Sequence, residues 1–227
     1  MIAEVTVQSV QVEVSGLLFD MDGVLVSSIG SVLRSWRRWA KHYGLPNADK
    51  VEIPHGVRAI DIMAQLKPDI DKVEGLKLIE DIEIADTADL EVLAGVRALL
   101  GGLPAHRWAI VTSATRRLLL GRLKAAGLPV PDRIISGDQV KRGKPDPEPY
   151  RRGAELIGVR PVDCLVFEDA PSGVRAGVAA GCKVLGVLGT HNADELREAG
   201  ANLIVSSLTK VRTETRDGRI AVMIEAI

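Results

Sequence analysis

Two acids one residue apart, Asp20 and Asp22, follow the apolar run Leu17-Leu18-Phe19, and Gly23 comes directly after them. Residues two apart share a face on a strand, and a strand that ends at Asp20 hands over to a loop that can aim both carboxylates into one cavity at a sheet edge. Carboxylates crowded there repel. The arrangement suits a cation lying between them, or a pair in which one acid holds a proton while the other stays ionised. Gly23 supplies the backbone freedom of a tight turn beside a ligand. A plain surface turn has the same composition, because Asp and Gly are ordinary turn formers. Three further segments bear on the choice. Trp108-Ala109-Ile110-Val111 is followed by Thr112, Ser113 and Ala114, which offer hydroxyls and free amides at a helix start, a natural anion site. Lys144 sits in Gly143-Lys144-Pro145-Asp146-Pro147-Glu148-Pro149, whose prolines keep its interior out of a helix. Cys164-Leu165-Val166-Phe167 is followed by a second acid pair, Glu168 and Asp169.

The elements that must position these groups alternate. Leu17 to Phe19, Trp108 to Val111, Arg133 to Ile135, Cys164 to Phe167, Lys183 to Val187 and Leu203 to Val205 read as short buried strands. Leu118, Leu119, Leu123 and Ala126 mark a helix ended by Gly127 and Pro129, and Tyr150, Ala154 and Ile157 mark another closed by Gly158. Ser172 is the expected N-cap of a third, running to Gly181. Strands alternating with helices predict an α/β fold with a Rossmann-like parallel sheet, helices on both faces, and ligands beyond the carboxyl ends of the strands. In such a sheet the four polar segments converge on one edge.

Two regions break the rhythm. From Ser31 to Leu93 the pattern is helical with no strand, which predicts an inserted all-α module with edges near Ser27-Ser28 and Ala94-Gly95. In it Ile29, Val32, Leu33, Trp36, Trp39, Ala40 and Tyr43 share one helical stripe, leaving Arg37 and Arg38 on the other side. The expected division is a discontinuous core, residues 1–28 and 94–227, around a helical cap, residues 29–93. Leu208 to Ile224 alternates about Asp217-Gly218, a hairpin signal, and Val5-Thr6-Val7 and Val10 to Val14 are candidate edge strands.

The 227 residues suffice for a sizeable core, and 46% apolar with 26% charged residues is a globular profile. A net charge of −1 speaks against a nucleic-acid or anionic-membrane surface. No secretion signal and no membrane span are expected, which implies a cytoplasmic protein, with monomer as the default state. Cys164 and Cys182 belong to no metal-spaced cluster and are expected as buried thiols rather than a disulfide.

Asp20-x-Asp22-Gly23-Val24-Leu25, the strand leading to Ser113, Gly143-Lys144-Pro145, and Glu168-Asp169-Ala170-Pro171-Ser172-Gly173 together resemble the four ordered motifs of the haloacid dehalogenase superfamily. The insert lies where that family places its substrate-covering cap. His55-Gly56-Val57-Arg58, Lys144 to Tyr150 and the Asp217-Gly218 hairpin are similar to its glycerol-3-phosphatase and 2-deoxyglucose-6-phosphatase group. The resemblance implies a Mg²⁺-dependent phosphatase acting on a small phosphorylated sugar or polyol. Asp20 would be the nucleophile that forms an aspartyl-phosphate, and Asp22 the acid and then the base. Asp20, the backbone carbonyl of Asp22, Asp169 and, directly or through water, Glu168 would hold the metal. Ser113, the N–H of Ala114 and Lys144 would hold phosphoryl oxygens, and His55 and Arg58 would contact substrate from the cap. Arg58 could instead pair with Asp61, three residues on. Asp22 argues against carbon–halogen cleavage, since the dehalogenases of the superfamily lack an acid there. Val32 stands where the phosphoglucomutases carry a His, so a sugar phosphomutase is the alternative rather than the first reading. A non-catalytic phospho-accepting regulator is a third, opposed by the large insert.

Overall fold

The computed structural model describes residues 8–227. Along the chain come β1 (Gln8–Val14), β2 (Gly16–Phe19), β3 (Val26–Ser27), α1 (Ile29–His42), α2 (Ala59–Leu66), α3 (Lys72–Ala85) and β4 (Glu91–Val92). Next are α4 (Val96–Gly101), β5 (Trp108–Val111), α5 (Arg116–Ala125), β6 (Ile134–Ile135), α6 (Glu148–Leu156), β7 (Cys164–Glu168) and α7 (Pro171–Ala180). The chain closes with β8 (Lys183–Val187), α8 (Ala193–Glu198), β9 (Leu203–Val205), β10 (Val211–Arg216) and β11 (Arg219–Ala226).

β2, β5 and β7 are buried along their whole lengths, which explains why their sequences are continuous apolar runs rather than alternating ones. They lie centrally in a six-stranded parallel sheet of order β6-β5-β2-β7-β8-β9. Alternate residues feed two cores, one per face: Leu17, Phe19, Ile110 and Phe167 on one side, Leu18, Ala109, Val111 and Val166 on the other. The chain winds from β2 out to β5 and β6, then crosses to the other side of β2 for β7, β8 and β9. Winding therefore reverses at β2, and the crevice at such a reversal is where α/β sheets take ligands.

A three-stranded antiparallel sheet, β1-β11-β10, packs Val14, Ile220, Val222 and Ile224 against the first core. Its hairpin turns at Asp217 (φ 48°) and Gly218 (φ 75°), the left-handed pair that a two-residue turn requires. Val5-Thr6-Val7 lies outside the described residues. Helices α1 to α3 enclose a third core of their own around Trp36, Trp39, Ile62, Met63 and Ile79, with the Trp39 indole donating to the Gly75 carbonyl at 3.0 Å. The stripe expected on α1 thus faces this core. No helix among the described residues is long and apolar enough to cross a membrane. Both cysteines are buried and free, and burial pushes each thiol up to about 12.

Two expectations need correction. The insert is not helical throughout: Glu91–Val92 pairs antiparallel with Val26–Ser27, so the chain leaves and re-enters the core as a two-stranded ribbon. Two residues are too few to leave an alternation pattern in the sequence. Ser172 is not the N-cap of α7. Pro171 takes the first helical position, which suits its fixed φ, and holds Ala170 extended (φ −118°, ψ 141°) as the cap. The Ser172 hydroxyl donates instead to the His55 carbonyl at 3.0 Å.

Candidate active site

Asp20 emerges from β2, Glu168 ends β7 and Asp169 follows it, so three carboxylates from adjacent strands meet at one edge of the sheet. An oxygen from each lies within 4.8 Å of the others, and all three residues are buried. Lys144 enters from the proline-framed loop before α6 and donates to Asp20 Oδ1 at 2.7 Å and to Glu168 Oε1 at 2.6 Å. That loop is braced by Glu148, which accepts from the amides of Lys141 and Arg142 at 2.9 Å each. Tyr150, one turn into α6, adds a 2.6 Å hydrogen bond to Glu168 Oε1, while Glu168 Oε2 accepts from the amides of Asp169 (3.1 Å) and Ala170 (3.3 Å). Thr190, just beyond β8, donates to the Asp169 carbonyl at 2.8 Å and to its Oδ2.

Three carboxylates against one ammonium leave this dry cluster short of positive charge. Burial raises Asp20 to about 7; Lys144 pulls it down and Glu168 pushes it up. Asp169 is raised well above the usual carboxylate range by burial, with Glu168 and Asp20 adding to it. For Lys144, burial works against the charge, but Asp20 and Glu168 outweigh it and raise the ammonium. Among the described residues no donor reaches Asp20 Oδ2 or Asp169 Oδ1, whereas both oxygens of Glu168 are engaged. An all-oxygen set with excess negative charge fits a hard divalent cation. Asp20 and Asp169 could ligate it directly, with Glu168 holding Lys144 and the β7 terminus in place. Close approach also fixes the turn: a Cβ on Gly23, whose φ is 82°, would lie 1.9 Å from Asp169 Oδ2.

Asp20, Asp22, Asp169, Ser113, Ala114 and His55 all line one cleft of about 790 Å³, its solvent-open part included, between the sheet edge and the helical cap. Asp22 accepts from Ser28 (2.7 Å) at Oδ1 and from Arg122 (2.5 Å) at Oδ2. The Ser113 hydroxyl donates to the Gly56 carbonyl of the cap at 2.6 Å, and the Ala114 amide to Thr112 Oγ1 at 3.1 Å. Thr115 N-caps α5, its hydroxyl accepting from the Leu118 amide at 3.3 Å. His55 stands edge-on to His191, ring centroids 5.7 Å apart, and burial, then His191, lower its pKa.

Arg58 is not brought to the cleft. Its guanidinium pairs with Asp61 (2.7 and 3.0 Å) and reaches the carbonyls of Val140 (2.9 Å) and Gly137 (3.4 Å). The local pair with Asp61 prevails because it points Arg58 along the cap–core seam, where Gly143 leaves room for its side chain.

The profile of the haloacid dehalogenase-like hydrolases matches residues 17–187. The chain belongs to that family. Hexitol phosphatase A of Escherichia coli K12 is 39% identical over 204 residues, covering 86% of this chain and 92% of the relative. Glycerol-1-phosphate phosphohydrolase 2 of Saccharomyces cerevisiae S288c is 33% identical over 220 residues, covering 91% and 88%. The β-phosphoglucomutase of Clostridium difficile superposes with a TM-score of 0.72, covering 88% of this chain and 93% of that one. At 20% identity that last likeness carries the fold alone.

In this haloacid dehalogenase-like hydrolase, sequence reasoning missed five residues around the cleft: Tyr150 as an anchor of Glu168, Thr190, Arg122, and the cap residues Glu80 and Glu83. Thr190 was findable, since it follows an apolar strand as the other polar groups do. Arg122 carried a fainter signal, an arginine beside Leu118, Leu119 and Leu123 on the buried face of α5.

Proposed function

We propose that this haloacid dehalogenase-like hydrolase is a Mg²⁺-dependent phosphatase that hydrolyses small phosphorylated sugars or polyols through an aspartyl-phosphate on Asp20. The observation that carries the reading is the buried cluster of Asp20, Lys144, Glu168 and Asp169 at adjacent strand ends, facing a cleft closed by a helical cap. The phosphatase names of the relatives above support the substrate class.

Asp20, with Oδ1 held by Lys144 and Oδ2 free, presents a fixed oxygen to phosphorus. Its attack forms the Asp20–phosphorus bond and breaks the ester bond, and the departing alcohol takes a proton from Asp22. Water then attacks phosphorus, Asp22 takes its proton, and inorganic phosphate leaves with Asp20 restored. Donation to the alcohol requires Asp22 to take up a proton from water and to give up Ser28 or Arg122 as partner. Lys144 neutralises one side of the cluster, and the Ser113 hydroxyl and Ala114 amide sit beside the cleft to meet phosphoryl oxygens when they exchange their present acceptors. Mg²⁺ held by Asp20 and Asp169, with the Asp22 carbonyl and Glu168 in support, would neutralise phosphoryl charge. The cap excludes water and selects the leaving group, with His55 on its inner wall.

Purified protein with Mg²⁺ is expected to release inorganic phosphate from members of a panel of phosphorylated polyols and sugars, to stop on chelation and to resume on metal addition. Release from none contradicts the reading, and isomerised sugar phosphate without free phosphate points to the mutase instead.

A further inference from the structure

The cap side of the cleft carries an ion chain that starts at Asp22 and ends at a residue with no role in phosphoryl transfer. Arg122, on core helix α5, joins Asp22 at 2.5 Å to Glu83, on cap helix α3, at 2.9 Å. The side chains of Arg122 and Glu83 are each only 6% exposed. One turn earlier, Glu80 is also buried and engages Thr115 and Arg117. Arg122 is the one Lys or Arg among the described residues that lines the cleft, whereas five carboxylates line it: Asp20, Asp22, Glu80, Glu83 and Asp169. The nearby cap arginines are engaged elsewhere, Arg58 along the seam and Arg34 with Asp86 and Asp89. Apart from His55, what remains of the cap wall is largely apolar, including Trp36, Ile53, Ile62 and Ile79.

Building on the phosphatase reading, we propose that Glu83 is a specificity-determining residue: by neutralising Arg122 it bars phosphate esters whose leaving group carries a second anionic group and leaves neutral polyols and sugars as substrates. A hydroxyl can donate to the carboxylates of Glu80 and Glu83 and needs no counter-charge. A second carboxylate or phosphate would lose its hydration beside like charges, with the one arginine lining the cleft among the described residues already shared by two acids. Exclusion of this kind works by the repulsive element, not by better contacts to the accepted substrate. A sugar bisphosphate, which must be held whenever a phosphoryl group is passed between two hydroxyls of one sugar, meets the same wall.

Sorbitol 6-phosphate and 6-phosphogluconate test this, because they differ at one end of the same carbon chain, hydroxymethyl against carboxylate. The assay is run about one pH unit above the value of about 7 to which burial lifts Glu83, so that the residue is ionised. Wild-type kcat/KM is expected to favour sorbitol 6-phosphate by at least about 100-fold. Glu83→Gln is expected to narrow that ratio by at least about tenfold, through a lower KM for 6-phosphogluconate as Arg122, left with Asp22 as its one acidic partner, turns its other nitrogen to the substrate carboxylate. Glu83→Met, neutral and of similar length, gives the same reading if Glu83→Gln does not melt cooperatively. A wild type that treats the two esters alike overturns the proposal, as does a ratio unchanged in the neutral variants. Phosphate release from neither ester, nor from any other phosphorylated polyol, overturns the phosphatase reading itself; release without discrimination overturns only the role of Glu83.

Discussion

On the core wall of the cleft, Asp20 and Glu168 share one ammonium beside Asp169, and the three carboxylates are left with excess negative charge. On the cap wall, Glu80 and Glu83 are each paired with an arginine, and most of the rest, His55 apart, is apolar. The difference teaches what each wall is for. Under the phosphatase reading, an unbalanced buried cluster would attract a cation and, through it, a phosphoryl group. A largely apolar wall whose arginines are already paired would attract no second phosphate, and so could sort leaving groups without competing for the reacting one. The backbone reflects the same division, since core groups sit on strand ends fixed by a six-stranded sheet and cap groups ride on helices with a separate small core.

The largest effect should come from the core wall. Asp20→Asn is expected to lower phosphate release by about 10⁴-fold or more while the protein still melts cooperatively, because the amide cannot act as the nucleophile. Retention of most activity would break the comparison at its strongest point. Lys144→Met comes next: it leaves Asp20 and Glu168 buried without their cation, a loss of about 3–5 kcal/mol by urea denaturation. Arg58→Met, at the partly exposed seam, is expected to cost about 1 kcal/mol. Equal losses would mean that the core cluster holds its charge no more tightly than the cap–core seam does.

Metal binding sharpens the contrast. Mg²⁺ at about 100 times its Kd should stabilise the folded chain by about 2.7 kcal/mol, read as a rise in Tm. Asp169→Asn should abolish that rise, whereas Trp36→Ala, which opens a hole in the cap core, should lower Tm and keep it. The smallest effect is in pH. Glu83 moves from 4.5 to about 7 on folding, burial raising it against Arg122, with Asp22 and Glu80 also raising it. Its contribution is complete below 4.5 and lost as pH climbs through about 7, so wild-type Tm should fall relative to Glu83→Gln across that window. A constant difference in Tm would show that Glu83 does not titrate there.

Much of the core wall was legible in the chain, because strand-end chemistry is local: an apolar run stops and reactive groups follow within two residues. All six runs read as buried strands became strands of the sheet, with β2 longer by Gly16, β6 shorter by Arg133 and β7 longer by Glu168. The cap wall was not legible for the opposite reason. The Arg122–Glu83 pair joins residues 39 apart whose meeting depends on how the cap docks. Arg58 and Ser172 were misjudged on the same account: a side chain's direction at an interface follows from packing, and packing leaves no periodic trace. The Val26–Ser27 and Glu91–Val92 ribbon was too short to register.

The central claim is that Asp20 takes the phosphoryl group. Intact-mass and peptide mapping of the Asp22→Asn variant, quenched in acid after mixing with Mg²⁺ and p-nitrophenyl phosphate, whose leaving group departs without needing a proton, tests it most directly. One phosphoryl group on Asp20 is the expected result, since the variant lacks the base that lets water clear it. A phosphoryl group on any other residue, or steady phosphate release by Asp20→Asn under the same conditions, would contradict the account.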